Sequence, residues 1–170
     1  MSAVRRLLRA STALALLVLP AAAIARVQSS ATDKATVLRP LSIVKQADLD
    51  FGELVVAGAG TAVINPASGA MTTTGPVIRV GTTGHAATFT TTGSKNSVVI
   101  IHVPNSAITL NRVGGGGTMT VSNWTLDGSV NRRIPANNAF NFSIGATLNV
   151  GAAQADGVYT GSFAVTVQYP

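Results

Sequence analysis

The chain has 170 residues, of which only 11% are charged, and a formal net charge of +6 from twelve Lys and Arg against six Asp and Glu. It contains no cysteine, which excludes disulfides, cysteine-ligated zinc, a thiolate nucleophile and a lipidated N-terminal cysteine. Beyond the N-terminal segment the only adjacent basic pair is Arg132-Arg133, and no aromatic residues interleave with the basic ones, so no nucleic-acid footprint is present.

Residues 1–25 read as a cleavable signal peptide. Arg5, Arg6 and Arg9 make a positive n-region, Ala10 to Leu19 is an uncharged apolar run, and Pro20 precedes the small-residue site Ala23-Ile24-Ala25. The run is shorter than the roughly 20 residues a spanning helix needs, so no membrane span is expected once the signal is removed. Removing 25 of the 170 residues leaves 145, one domain's worth of chain. Without the signal's arginines, nine basic residues face six acidic ones. The export signal implies a periplasmic, cell-surface or extracellular location.

Residues 26–34 are small and polar and read as a flexible arm. From residue 35 to 170 the chain is rich in Thr, Val, Gly, Ala and Asn and poor in Glu, Lys and Leu, a composition for strands rather than helices. Short alternating apolar runs are separated by Gly, Asn, Asp or Pro, as in a sandwich or barrel. In chain order the candidate strands are Thr36–Val44, Phe51–Val56, Thr61–Ile64, Val77–Val80, Ala87–Thr91 and the doubly apolar Val98–Val103, which reads as a central strand. Ile108 and Leu110 begin the next run, and Met119 and Val121 the one after. Trp124 and Leu126 fall on the opposite parity from Met119 and Val121, which calls for a bulge near Ser122-Asn123. Phe140, Phe142 and Ile144 alternate with polar residues, as do Leu148 and Val150. The clearest run is the last. Tyr159, Phe163, Val165, Val167 and Tyr169 share one face over eleven residues, which predicts a single half-buried strand.

Residues suited to chemistry are sparse. His85 lies in a turn-like stretch and His102 in an apolar strand, neither with a second ligand at zinc spacing. Asp48 and Asp50 share a face and could form a calcium site or a glycosidase pair. Their alternation with Leu49 and Phe51 is that of a solvated strand face, which explains the pattern without a ligand. Asp127 and Asp156 precede glycines as turn formers. Gly114–Gly117 precedes a strand, not a helix, and so reads as a hairpin loop rather than a phosphate loop. Trp124, the one tryptophan, could stack on a sugar with Asn123 beside it, although a lone Trp is more often core. The expectation is a non-enzyme with no cofactor and no metal.

Three segments carry a resemblance: Leu41-Ser42-Ile43 with Leu49-Asp50-Phe51-Gly52; the strand Val98–Val103 with Pro104 and the Gly-rich hairpin; and Leu148-Asn149-Val150 with Gly157–Phe163 and Val165–Tyr169. Together they resemble the small exported domains of Gram-negative bacteria grouped as domain of unknown function 4402, a family without an established activity. The ending also resembles chaperone–usher pilins, which finish in a Gly-x-Tyr-x-Gly strand with a tyrosine next to the end. That resemblance implies an immunoglobulin-like, pilin-like β-sandwich. It further implies a fimbrial or cell-envelope subunit that pairs strands with other copies or with a periplasmic chaperone and usher. Tyr159, Phe163, Val165, Val167 and Tyr169 would be the assembly strand. The donor would be the apolar segment Val37–Val44. The alternative is a self-contained surface binding module of carbohydrate or adhesin type, with Trp124, Asn123 and the Gly114–Gly117 loop as contacts.

Overall fold

A computed structural model describes residues 28–170; the signal peptide read over residues 1–25 and the start of the arm lie outside the described residues. The chain divides into Met1–Ala35 and Thr36–Pro170. Of the first unit, residues 28–35 are exposed and carry no regular secondary structure.

The second unit is all β. Its strands are β1 (Ser42–Ala47), β2 (Glu53–Val56), β3 (Gly60–Ile64), β4 (Met71–Thr74), β5 (Val77–Val80), β6 (Ala87–Thr92) and β7 (Val98–His102). These are followed by β8 (Ile108–Arg112), β9 (Thr118–Leu126), β10 (Asn131–Arg133), β11 (Ala139–Val150), β12 (Tyr159–Thr160) and β13 (Thr166–Gln168). An eight-stranded sheet runs β1-β6-β11-β9-β8-β12, with β3 on the second half of β11 and β4 beyond β3. Two smaller sheets, β10-β7-β13 and β2-β5, complete the set. All pairings are antiparallel.

The small sheets cover one face of the large one, which makes a β-sandwich. Two clusters of buried side chains hold the layers together. In one, Leu54, Val56 and Val77 from β2 and β5 pack on Ala62, Ile64 and Leu148. In the other, Ile101 of β7 and Val167 of β13 pack on Phe89, Phe142 and Ile144. Phe89 and Phe142 stack with centroids 5.3 Å apart. Each fully buried residue of this size contributes about 1.5–3 kcal/mol, and with no disulfide these clusters carry the fold.

Strand β11 is the spine. Two separate strands were expected around Phe140–Ile144 and Leu148–Val150; the structure joins them into one of twelve residues. The small residues Gly145, Ala146 and Thr147 read as a break because small residues carry no periodicity. They are buried because the end of the neighbouring strand β3 presses on them: a Cβ on Gly145 would clash with the carbonyl oxygen of Ile64. The bulge expected in β9 is present. Gly145 pairs Thr125 and Thr147 pairs Ser122, so Ala146 alone faces Asn123 and Trp124. Asn123 takes φ 50°, a conformation Asn tolerates better than most residues.

The terminal run departs from expectation. It is not one strand. Tyr159–Thr160 pairs with β8 in the large sheet, and Thr166–Gln168 pairs with β7 in a small one. The residues between belong to no ladder. The alternation nonetheless holds throughout: Tyr159, Phe163, Val165, Val167 and Tyr169 are half-buried and the intervening residues exposed. Period 2 reports which flank faces the interior, and a segment that crosses between two layers keeps its inner flank inward while it changes partners.

Other expectations shift in detail. The first strand starts at Ser42, not Thr36, because residues 36–40 are exposed and unpaired. The Val98–Val103 run is central only within its three-stranded sheet; Val99 and Ile101 are buried while Val98 is exposed. Among the described residues no helix is long and apolar enough to cross a membrane.

Candidate functional site

A cleft of about 1150 Å³ opens between the large sheet and the second layer. Its floor is apolar, built from Phe89, Val121, Leu148, Ile108 and Leu110 of the large sheet. One wall is residues 48–54 with Val56, the other residues 154–165. The wall strands are incompletely paired: β2 has a partner only in β5, and β12 only in β8. Along β8, only Asn111 and Arg112 pair with β12, so Ile108–Leu110 is laddered on the β9 side alone.

The sequence-expected residues divide at this cleft. Tyr159, Phe163 and Val165 line it. The Tyr159 hydroxyl donates to the Ala155 carbonyl at 2.6 Å and accepts from Gln154 Nε2 at 2.6 Å, which shapes the loop before β12. Val167 packs into the Phe142 cluster. Tyr169 turns away to a different task. Its hydroxyl donates to the Arg39 carbonyl at 2.9 Å and accepts the Ser94 amide at 2.8 Å, and the Arg39 amide donates to Ser94 Oγ at 2.6 Å. Tyr169 therefore ties the segment before β1 to the loop after β6.

Trp124 lines the cleft, half-buried, with its ring centroid 4.6 Å from that of Phe163. Its indole N–H donates to the Ser106 carbonyl at 3.0 Å, so its polar edge is already engaged. Asn123 is exposed on the bulge and does not line the cleft.

Four acids border the cleft: Asp48, Asp50, Glu53 and Asp156. Asp48 pairs with Lys45 at 2.5 Å on the surface. Asp50 Oδ1 accepts the Gly52 amide at 2.7 Å, and its backbone exchanges hydrogen bonds with His85. Leu49 and Phe51 point inward, as the solvated-face reading of this segment requires. Among the described residues no three His, Asp or Glu side chains gather as a metal site.

Two structural groups escaped the sequence reading. Asp127, taken for a turn former, sits beside Arg132 in a part-buried ion pair, and its other oxygen accepts the Ser143 amide at 2.9 Å. The only sequence signal was the Arg132-Arg133 pair, which says nothing of depth. Arg112, ahead of the glycine hairpin, donates to the carbonyls of Asp156 and Gly115. That links the β8–β9 loop, where Gly114–Gly116 hold φ of 83–87°, to the cleft wall.

The sequence profile described as "Domain of unknown function (DUF4402)" matches residues 41–169. The chain belongs to the DUF4402 family. No curated protein and no solved structure matches it. The DUF4402 match takes in all thirteen strands and every residue lining the cleft; residues 28–40 precede it.

Proposed function

We propose that this DUF4402 chain is an exported, non-catalytic structural subunit of pilin-like kind, a fimbrial or cell-envelope component that works by β-strand pairing. The observation that carries the reading is the open cleft. Its floor is made of residues from the sandwich core, and its walls include strands with one edge unpaired. Unpaired edges template a further strand, and an extended segment laid into an apolar groove gains main-chain hydrogen bonds together with burial. The donor expected over Val37–Val44 is shorter than supposed, because Ser42–Val44 is already paired with β6. Val37 and Leu38 remain, 93% and 42% exposed. A periplasmic chaperone and usher fit the same reading, since an open groove requires cover until assembly.

Native mass spectrometry of the purified protein over a concentration series tests it. A ladder of oligomers is expected, and Val165→Asp, which places a charge on the cleft wall, is expected to abolish folding or assembly. The second reading, a surface binding module, is favoured by Trp124 in the cleft lining; a stable monomer that takes up a sugar or other small ligand there would establish it instead.

A further inference from the structure

The cleft and the opposite end of the molecule carry opposite charge. Four of the chain's six acids line the cleft, against the single base Lys45. Two further bases lie near it. Arg79 is paired with Leu54 across β2–β5, and the Arg112 guanidinium is occupied by two carbonyls. At the far end of β6 the chemistry reverses. Arg39 is held against Ser94 by its amide, Lys95 follows Ser94 in the same loop, and Arg133 reaches that loop through the Asn96 carbonyl at 3.1 Å. All three are exposed, and none makes an ion pair among the described residues. Beside Arg39 stand the exposed apolar residues Val37 and Leu38, 93% and 42% exposed.

β6 fixes the polarity. Asp50 bridges to His85 just before its start, and the basic loop follows its end, so six strand residues separate the two ends by about 17 Å. One end is an apolar cleft with an acidic border. The other is an apolar point with a basic border.

We propose that two copies associate head to tail, the basic end of one (Arg39, Lys95 and Arg133 around Val37-Leu38) docking on the acid-bordered cleft of the next. The two surfaces differ, so the contact is heterologous; unless its rotation closes a ring, it leaves a free cleft and a free basic end at opposite ends of each oligomer, and repeated it gives chains rather than two-fold dimers. The charges steer the encounter and set its direction, because basic end on basic end and cleft on cleft both place like charges together. This rests on the self-association reading above and adds which surfaces meet.

Sedimentation velocity on the purified protein tests it with charge-swapped variants at exposed positions. Glu53→Lys with Asp156→Lys, and separately Arg39→Glu with Lys95→Glu, are each expected to weaken association by roughly tenfold or more, and all four together to recover it. Association of the unaltered protein is expected to fall as salt rises from about 50 to 500 mM. Association that ignores both salt and the swaps, or a fourfold variant that stays as weak as the pairs, overturns the head-to-tail docking while leaving strand-pairing assembly standing. A monomer at every concentration overturns both.

Discussion

The ion pair between Asp127 and Arg132 gives the sharpest prediction about the fold. Asp127 divides its carboxylate: one oxygen meets Arg132 and the other accepts the Ser143 amide at 2.9 Å. Both side chains are largely covered, 22% and 18% exposed. The guanidinium also lies 5.9 Å from the ring centroids of Phe140 and Phe142. Asp127→Ala removes both acceptors at once. A part-buried amide left without a partner costs about 1–3 kcal/mol, and loss of the charge-assisted bond adds a similar amount discounted for residual solvent, so about 2–4 kcal/mol in all. Asp127→Asn keeps one acceptor and should cost about half as much. For a domain of this size the alanine variant should melt about 8–15 °C lower. Urea unfolding followed by Trp124 fluorescence measures it. The cycle completed with Arg132→Ala should give a coupling of about 1–2 kcal/mol, whereas Arg132→Met, which keeps an apolar stem over the two rings, should cost less than Arg132→Ala. A loss below about 0.5 kcal/mol for Asp127→Ala with no coupling to Arg132 refutes the assignment of this pair as the clamp between the β9–β10 bend and β11.

Further predictions test the spine, the core and the arm. Gly145→Ala drives a methyl into the Ile64 carbonyl and should destabilise the domain by about 2 kcal/mol or more, read from the urea midpoint. Phe142→Ala, at a residue 1% exposed and stacked on Phe89, should cost about 3–5 kcal/mol in the same assay. Tyr169→Phe removes the hydroxyl that joins Arg39 to Ser94. It should cost about 1 kcal/mol and speed proteolytic cleavage before Leu41, while leaving the melting of the sheets two-state.

Much of this architecture was legible because period 2 survives in a sandwich whose faces are unequally wet. The alternation of Phe140, Phe142 and Ile144, and of the terminal run, marked inner flanks correctly, and the parity change before Trp124 located the bulge. What alternation leaves open is the identity of the neighbouring strand. Tyr159–Tyr169 therefore read as one strand when it serves two sheets. Gly161 sits at the crossing, where a Cβ would lie 2.9 Å from the Thr109 carbonyl oxygen. Short polar strands were invisible for a related reason: Met71–Thr74 is mostly threonine and Asn131–Arg133 has no apolar residue, so neither shows a pattern, yet both pair well. At the cleft, Tyr159, Phe163, Val165 and Trp124 could be named from sequence because aromatic and β-branched residues at strand spacing must face something. Its floor could not, because Phe89, Val121 and Leu148 are buried core residues, and nothing in an apolar alternation marks which part of a core lies beneath a cleft.

The most direct test is amide hydrogen exchange compared between dilute and concentrated protein. If the cleft receives another chain, the amides of Glu53–Val56 and of Phe163–Val165 slow as oligomers form, together with those around Val37–Arg39. Exchange that is unchanged there while oligomers accumulate, or protection confined to the outer edge of Met71–Thr74, would contradict the cleft as the assembly surface.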